Sequence, residues 1–251
     1  MNLNKKVLLF DLDGTLLTED KIITKRTLEA LEQCRQKGFL LGIATSRSEA
    51  RCKSYIDQVN PEVLILSGGA VVKYMDEYIY IDAFSDEESY ELIHVLREVC
   101  GQDCGITMDA VHEHYTNSDI HVGSIRTDFT RIAEPGLKFC VEIHDEETAE
   151  VLMSRLSQYD CSKFFGVDWY KITKKTSTKE VGIQKLCEGS DLKIENLIAF
   201  GDDDVDSGML QVCGTGVAMG NSIESVKQIA DVVIGSNDED GIAVYLENMY
   251  L

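Results

Sequence analysis

The chain has 251 residues, of which 44% are apolar and 27% are charged, so it can form one large domain or two smaller ones around a hydrophobic core. Its 44 Asp and Glu residues outnumber its 24 Lys and Arg residues and give a net charge of -20, which argues against a nucleic acid or an anionic membrane as partner. The sequence shows no signal-peptide pattern and no long apolar span, so we expect a cytosolic protein.

Eight cysteines are spread along the chain without a Cys-x-x-Cys pair, which predicts reduced and mostly buried thiols rather than a zinc site or a disulfide framework. The acidic runs at 86–88, 145–147 and 238–240 are expected to be solvated helix starts or loops. The sequence does not predict the oligomeric state.

The first strong element is the run from Val7 to Phe10, which predicts a strand buried on both faces. Asp11, Asp13 and Gly14 follow it directly. Residues two apart in an extended chain point the same way, so both carboxylates can address one site while Leu12 enters the core. A strand followed by an ordinary Asp-Gly turn explains the same residues, and this stretch alone leaves both interpretations open.

Strands and helices alternate over the next part of the chain. An exposed hairpin or flap is expected over 16–23, followed by a helix that Thr24 caps and Gly38 ends. Predicted strands at 39–44 and 63–66 flank a helix at about 48–59. This alternation predicts a parallel sheet with right-handed crossovers.

The pattern changes after about residue 82 and returns near residue 178. A helix at 86–100, capped by Ser85, precedes short strands at 105–108 and 111–115 and an irregular polar stretch at 116–135. A strand at 137–143, a helix at 146–157 and strands at 163–165 and 169–173 complete a small α+β unit with an antiparallel sheet. His112 and His114 could suggest a metal site, although solvent-facing positions on a strand are the simpler interpretation.

The last part restores the first alternation. A helix at 179–188 precedes a buried strand at 197–200, which ends in the acidic stretch 202–206. Strands at 216–219 and 232–234 and helices from 207, at 225–230 and at 239–250 follow. We therefore predict an α/β protein with a Rossmann-like parallel-sheet core formed by residues 1–82 and 175–251, and a smaller α+β domain inserted at 83–174.

Polar side chains follow several of the predicted core strands, and the carboxyl ends of parallel strands share one edge of a sheet. Thr45 and Lys179 are suited to hold phosphate oxygens, and the carboxylates of Asp11 and Asp202 are suited to hold Mg²⁺, which prefers oxygen ligands. A nucleophile, a cation and donors to the equatorial oxygens are the requirements of phosphoryl transfer.

Four motifs in this order resemble those of the haloacid dehalogenase (HAD) superfamily of phosphatases. They are Asp11-Leu12-Asp13-Gly14-Thr15, Ala44-Thr45-Ser46-Arg47, Lys179 and Gly201-Asp202-Asp203-Asp204-Val205-Asp206. The stretches 216–222 and 237–241 are similar to the Cof-like subgroup, which carries a type IIB (α+β) cap between the second and third motifs. The resemblance implies that the inserted domain is a cap that selects the substrate.

The resemblance also implies a role for each motif residue. Asp11 is the nucleophile that forms an aspartyl-phosphate, and Asp13 is the general acid and base. Mg²⁺ is held by Asp11, the main-chain carbonyl of Asp13 and Asp202, with Asp203 or Asp206 as a further or supporting ligand. Phosphate is held by the residues of the second and third motifs, Thr45, Ser46 and Lys179.

Three positions depart from the family pattern: Ser46 stands where Gly is usual, and Gly68 and Val205 stand where Asn is usual. We expect an Mg²⁺-dependent phosphohydrolase of a small soluble phosphorylated metabolite, such as a sugar phosphate or a phosphorylated cofactor. A phosphomutase with the same intermediate and a catalytically weak phospho-ligand sensor are the alternatives. Arg47 is either an ion-pair partner or a substrate contact, and the sequence leaves this open.

Overall fold

The computed structural model of the protein describes residues 5–118, 124–164 and 166–251. In chain order its strands are β1 (Val7–Phe10), β2 (Leu40–Ala44), β3 (Val63–Leu66), β4 (Val71–Tyr74), β5 (Glu77–Ile81), β6 (Ile106–Ala110), β7 (His114–Thr116), β8 (Ile125–Arg126), β9 (Gly136–Glu142), β10 (Tyr159–Lys163), β11 (Trp169–Lys174), β12 (Leu197–Gly201), β13 (Thr215–Ala218) and β14 (Val232–Val233).

The helices are α1 (Lys25–Gln36), α2 (Glu49–Val59), α3 (Asp86–Cys100), α4 (Glu146–Arg155), α5 (Lys179–Glu188), α6 (Ser207–Val212), α7 (Glu224–Ile229) and α8 (Gly241–Tyr250). Thr24 caps α1 through its side chain, as the sequence predicted, because its oxygen accepts the Thr27 N–H that the first turn leaves unpaired. Ser85 caps α3 in the same way, and Glu88 completes a capping box there.

The described residues form two compact units. The core unit comprises residues within Met1–Arg47, Arg51–Ile81 and Thr178–Leu251, and the inserted unit comprises Ser48–Ala50 and Asp82–Ser177. The chain leaves the core unit after Ile81 and returns to it at Thr178. The assignment of the inserted unit as a substrate-selecting cap stays a prediction.

The core unit contains an eight-stranded sheet in the order β14-β13-β12-β1-β2-β3-β4-β5. The pairs from β14 to β3 are parallel, which confirms the α/β fold class. The side chains of β1 have no exposure at all, so this strand lies in the middle of the sheet and is covered on both faces. The carboxyl ends of β1, β2 and β12 therefore lie side by side at one edge.

Two parts of the core unit differ from the predictions. The chain adds an antiparallel hairpin, β4–β5, after β3, where the sequence analysis had no strand. Residues 16–23 form no hairpin: the stretch is a compact turn in which the Thr18 N–H donates to the carbonyl of Ile22 at 3.0 Å, and both Leu16 and Leu17 are buried. Burial of these two leucines holds the start of the stretch against the core, whereas residues 19–22 are exposed, as predicted.

The inserted unit contains a six-stranded sheet in the order β10-β11-β9-β6-β7-β8, antiparallel except for β7 with β8. Apolar side chains on alternate positions of its strands form a core with α3 and α4, among them Ile106, Met108, Phe139 and Val141. The predicted strand at 163–165 is found at Tyr159–Lys163, and residue 165 lies outside the described residues. Part of the irregular stretch at 116–135, residues 119–123, also lies outside them.

His114 corrects the expectation of a solvent-facing histidine. Its ring Nδ1 contacts Asp109 Oδ1, while Lys138 Nζ lies 2.6 Å from Asp109 Oδ2, and all three side chains are largely buried. Burial alone would raise the pKa of Asp109, but Lys138 and His114 outweigh it and hold that pKa below its usual range. A charged cluster on β6, β7 and β9 therefore accounts for this histidine.

None of the eight cysteines, all of which lie in the described part of the chain, forms a disulfide, and burial raises the pKa of the Cys34 thiol to about 11 and that of Cys213 to about 12. These thiols are protonated at neutral pH, so they are unreactive. Over the described residues, no helix combines the length and the apolar character needed to cross a membrane. The cytosolic location stays a prediction.

Candidate active site

Asp11 follows the last residue of the central strand β1. Its main-chain N–H donates to the carbonyl of Phe200 at 3.0 Å, which extends the β1–β12 pairing by one residue, and its side chain is buried. The chain then turns instead of continuing as a strand, because the Leu12 carbonyl accepts from Leu17 N–H at 2.8 Å. Asp11 and Asp13 are therefore not related by strand alternation, although Leu12 is buried as predicted.

Lys179 is the first residue of α5, and Thr178 caps this helix with its side-chain oxygen. The lysine is only 2% exposed, and its ammonium lies 2.6 Å from Asp11 Oδ1 and 2.5 Å from Asp206 Oδ1. Burial alone would lower the pKa of Lys179, but the two carboxylates raise it above its ordinary value. Lys179 is thus a permanent cation between two carboxylates.

Asp206 lies on a short 3₁₀ turn, Asp204–Asp206, that follows β12, and it is completely buried. Its Oδ2 accepts the main-chain N–H groups of Asp202 at 3.0 Å and Asp203 at 3.2 Å. Both of its oxygens are therefore engaged, one by Lys179 and one by the loop that carries Asp202. Asp203 is exposed and its side chain accepts from Asp204 N–H, so the structure does not bring it to the site.

Asp202 is held beside the turn that follows β1. Thr15 donates its hydroxyl to Asp202 Oδ1 at 2.6 Å. Gly14 has a φ of 81°, and a Cβ built on it would lie 2.2 Å from Asp202 Oδ2. Only glycine permits both this backbone conformation and this close approach of the carboxylate. The Asp-Gly pair is a turn, as the simpler interpretation had it, and the turn also places Asp202.

Carboxylate oxygens of Asp11, Asp202 and Asp206 all lie within 4.8 Å of one another. Burial raises the pKa of Asp11 to about 7, although Lys179 opposes this shift. Burial is also the main cause that raises the pKa of Asp202 to about 6. Negative charge at this cluster is therefore under-compensated. Hard oxygen donors with excess negative charge are the ligands that suit a small divalent cation, so the cluster fits the predicted metal.

Thr45 is buried at the end of β2, next to β1, and its hydroxyl oxygen accepts Arg47 N–H at 3.2 Å. Ser46 beside it is exposed. Gly68 N–H donates to the Thr45 carbonyl at 3.0 Å, which ties the loop after β3 to the loop after β2. Gly69 in the same loop has a φ of 112°, and a Cβ there would lie 1.9 Å from the carbonyl of Thr178. This glycine allows the loop to pack on Thr178, the residue that caps the N-terminus of α5.

Asp13 has different partners from Asp11. The Arg47 guanidinium contacts both of its oxygens, and Lys21 contacts one of them at 3.0 Å. Partial burial alone would raise the pKa of Asp13, but Arg47 and Lys21 together lower it. The structure therefore resolves the open question about Arg47 in part: it is an ion-pair partner of Asp13.

Sequence reasoning missed several residues that support the site. Thr15 contacts Asp202, and Asn221 donates its side-chain N–H to the Gly14 carbonyl at 2.8 Å. Asp238, one of the acids expected to be solvated, accepts the Glu19 N–H at 2.9 Å. Asn221 and Asp238 lie in the two stretches that resemble the Cof-like subgroup, so this resemblance could have identified them as candidates. It could not identify their partners, which are more than two hundred residues away along the chain. Val205, at a position where the family pattern has Asn, is 49% exposed.

Comparison with known proteins agrees with this arrangement. The family model for haloacid dehalogenase-like hydrolases matches residues 8–246. The 5-amino-6-(5-phospho-D-ribitylamino)uracil phosphatase YitU of Bacillus subtilis is 30% identical over 267 residues, which cover 96% of each chain. The pyridoxal phosphate phosphatase YbhA of Escherichia coli is 28% identical, over 96% of this chain and 97% of that one.

Solved structures show the same similarity over nearly the whole chain. The HAD subclass IIB sugar phosphatase BT4131 aligns with a TM-score of 0.79 and 25% identity, over 97% of this chain and 98% of that one. A haloacid dehalogenase-like hydrolase from Bacteroides thetaiotaomicron aligns with a TM-score of 0.87, over 98% of this chain and 100% of that one. Its sequence identity is 23%, so this second likeness concerns the fold alone.

Proposed function

Because the chain belongs to the family of haloacid dehalogenase-like hydrolases, we propose that it is a phosphatase that removes phosphate from a small soluble phosphorylated metabolite. The observation that carries the proposal is the buried bridge of Lys179 between Asp11 and Asp206, with Asp202 beside it. This arrangement combines a carboxylate nucleophile, a fixed cation and a cluster of oxygen ligands at the carboxyl ends of β1 and β12.

Asp11 is the proposed nucleophile. An oxygen of its carboxylate attacks phosphorus, the bond from phosphorus to the ester oxygen breaks, and an aspartyl-phosphate remains on the protein. Lys179 fixes the Asp11 side chain through Oδ1, and two of its three N–H groups contact the described carboxylates. Its third N–H is suited to a phosphate oxygen, together with the Thr45 hydroxyl and the exposed Ser46.

Asp11, Asp202 and the main-chain carbonyl of Asp13 are the proposed ligands of Mg²⁺. When bound, the ion would neutralise charge on the phosphate and on the clustered carboxylates. Both oxygens of Asp206 already accept hydrogen bonds, so we assign it the role of holding Lys179 and the Asp202 loop in place.

Asp13 is the proposed acid and base. It donates a proton to the leaving alkoxide and later removes a proton from the water that attacks the aspartyl-phosphate. The inserted unit, residues 83–174 of the prediction, is the proposed cap that selects the substrate. The relatives' names point to phosphorylated sugars and cofactors as the class to examine first.

The test is a screen of phosphate esters with and without Mg²⁺, followed by the variant Asp11→Asn. We expect phosphate release that requires Mg²⁺ and is abolished by Asp11→Asn, with an unchanged circular dichroism spectrum. Asp204→Asn is the matched control, because Asp204 is an exposed acid of the same stretch, and its carboxylate accepts from Ser225 among the described residues. Full turnover by Asp11→Asn would refute the proposal.

The same screen separates the alternatives. A phosphomutase would convert a sugar phosphate into its isomer and release little phosphate from simple esters. A sensor would bind an ester and release no phosphate at all. The structure retains a carboxylate at position 13 with ordered partners, which favours an enzyme over a pure binding protein.

A further inference from the structure

The carboxylate of Asp13 is held by two cationic side chains in a defined geometry. Arg47 Nε lies 2.8 Å from Asp13 Oδ2, and Arg47 Nη2 lies 2.7 Å from Asp13 Oδ1. Lys21 Nζ lies 3.0 Å from Asp13 Oδ1. The planar guanidinium therefore contacts both oxygens at once, which fixes the plane of the carboxylate as well as its position.

Tyr55 on α2 joins the two cationic residues. Its ring lies under the Arg47 guanidinium, with 5.4 Å from the guanidinium carbon to the ring centroid. Its hydroxyl donates to the main-chain carbonyl of Lys21 at 3.0 Å. Lys21 has a φ of 59°, a conformation that a non-glycine residue adopts at a cost, and the hydrogen bond from Tyr55 helps to stabilise it.

The main chain of Arg47 is also fixed on both sides. Its N–H donates to the Thr45 hydroxyl oxygen at 3.2 Å, and its carbonyl accepts Ser67 N–H at 2.9 Å. The guanidinium is thus presented from an anchored backbone and rests on an aromatic ring. Both features reduce the conformational freedom that a long side chain would otherwise keep.

The contacts made by the described residues leave one acceptor position on the carboxylate. A carboxylate offers about four lone-pair positions, two on each oxygen. Arg47 and Lys21 occupy both positions of Oδ1, and Arg47 occupies one of Oδ2. The remaining position of Oδ2 is the one that a water molecule or a leaving group can meet.

We propose that Lys21, Arg47 and Tyr55, the Asp13 clamp, position Asp13 so that its Oδ2 takes the proton of the attacking water. The inference rests on the proposed function and deepens it. In the step concerned, the water oxygen forms a bond to phosphorus, one water proton moves to Asp13 Oδ2, and the bond from phosphorus to Asp11 breaks. The electron pair of that bond returns to Asp11 as a carboxylate, and inorganic phosphate leaves.

A purely stabilising role explains the clamp less well. The Asp13 side chain is 43% exposed, and an ion pair in so open a position adds little to stability. Arg26 and Glu247 form the same two-point pair elsewhere on the core unit, with Nε and Nη2 at 3.0 and 2.6 Å from the two oxygens. That pair has no anchoring aromatic ring among the described contacts, and it serves as the matched control.

The experiment measures phosphoenzyme in Arg47→Ala, Arg47→Lys, Tyr55→Phe and the control Arg26→Ala, with 4-nitrophenyl phosphate and Mg²⁺. Nitrophenolate leaves without a proton, so formation of the aspartyl-phosphate does not need Asp13, whereas its hydrolysis does. We expect Arg47→Ala to lower kcat by about 10- to 100-fold and to accumulate acid-trapped phosphoenzyme, since misplaced catalytic groups cost about this much.

Arg47→Lys should restore kcat only in part, because an ammonium contacts one oxygen at a time. Tyr55→Phe keeps the ring and loses one hydrogen bond, so a decrease of about 2- to 10-fold is expected. Arg26→Ala should behave as the unaltered protein. Arg47→Lys and Tyr55→Phe are the milder variants, and they keep the test decisive if Arg47→Ala does not fold.

Two results would overturn the inference. If Arg47→Ala raises KM and slows phosphoenzyme formation in proportion to kcat, then Arg47 binds substrate phosphate instead of positioning Asp13. If all three clamp variants match Arg26→Ala, then the clamp is structural. Asp13→Ala separates these results from failure of the proposed function: it must itself accumulate phosphoenzyme, and if it does not, the role assigned to Asp13 is wrong.

Discussion

Replacing Lys179 by Met should destabilise the core unit more than any change of a surface lysine. Methionine keeps the length and apolar stem but leaves the Asp11 and Asp206 carboxylates, both buried, without the ammonium that lies 2.6 and 2.5 Å from them. Removing one partner of a buried pair typically costs about 3–5 kcal/mol, because a buried charge is left uncompensated. For a chain of this size that corresponds to a decrease in Tm of roughly 6–20 °C.

The sign of the pH dependence provides a second readout. The pKa of Asp11 in the folded protein is raised to about 7, above its ordinary value, so its ionisation costs stability as the pH rises through about 7. Without Lys179 the Asp11 anion is even less stable than in the unaltered protein. The loss in the free energy of unfolding that Lys179→Met causes should therefore be largest near pH 8 and smaller near pH 5. Circular dichroism in increasing urea, with EDTA present, measures the free energy of unfolding at each pH.

Lys185→Met is the control, since Lys185 lies on the same helix and pairs with Glu188 on the exposed surface. It should unfold as the unaltered protein does. If Lys179→Met is as stable as Lys185→Met at pH 8, then the bridge between Asp11 and Asp206 does not stabilise the fold, and the reasoning from buried charge is wrong.

Three further changes test other parts of the structure. Gly69→Ala should lower the free energy of unfolding, measured in urea, by at least about 2 kcal/mol. Gly38 is also at positive φ but in open space, so Gly38→Ala should lower it by only about 1 kcal/mol. Equal losses would contradict the close packing at Gly69. The lowered pKa of Asp109 predicts that the inserted unit loses stability as the pH falls below about 4, and that Asp109→Asn lacks this dependence. The fluorescence of Trp169, the single tryptophan, follows the unfolding. Unchanged acid sensitivity of Asp109→Asn would contradict the buried ion cluster. Mg²⁺ should raise the Tm of the unaltered protein and not that of Asp202→Asn; an equal rise in both would place the ion elsewhere.

The sequence predicted the family and the enzyme class correctly, and both are confirmed by the comparisons. It also placed the start of α5 at Lys179. It did not predict that Lys179 bridges two carboxylates, because those partners lie 168 and 27 residues away along the chain. Local patterns determine where a helix begins, whereas the partners of its first side chain depend on the packing of distant segments.

Two differences have local physical reasons. Strand alternation was applied to Asp11 and Asp13, but β1 ends at Phe10 and the chain turns before Asp13, so the rule does not apply there. The hairpin β4–β5 was missed because its turn residues are Met75 and Asp76, both at positive φ. Such turns usually carry Asn-Gly or Asp-Gly, and a methionine at positive φ gives no signal in a sequence.

The inserted unit shows a third reason. His114 and Lys138 are polar residues on strands, and strand patterning assigns such residues to the solvent face. The structure instead buries both against Asp109, where the Lys138 ammonium and the contact with His114 Nδ1 offset the cost of burying the carboxylate. The pairing depends on the registers of β6 with β7 and β9, which one sequence does not determine.

The charges around the site explain why a divalent cation should control phosphate binding in so acidic a protein. When all four carboxylates of the site are ionised, they face three cationic side chains and leave one negative charge before any phosphate arrives: Asp11, Asp13, Asp202 and Asp206 against Lys21, Arg47 and Lys179. Each of these cations already contacts a carboxylate, so none offers its full charge to an incoming dianion.

A bound divalent ion reverses this balance and gives the site one net positive charge. Inorganic phosphate, as a competitive inhibitor of 4-nitrophenyl phosphate hydrolysis, should therefore bind at least about 10-fold more tightly when Mg²⁺ is saturating than when it is limiting, a difference of about 1.4 kcal/mol. Raising the ionic strength with KCl should change this ratio little, because the Asp11 carboxylate and the Lys179 ammonium are buried, and buried charges are screened much less than exposed ones. An inhibition constant that does not depend on Mg²⁺ would show that Lys179, Arg47 and Lys21 are sufficient to hold phosphate by themselves.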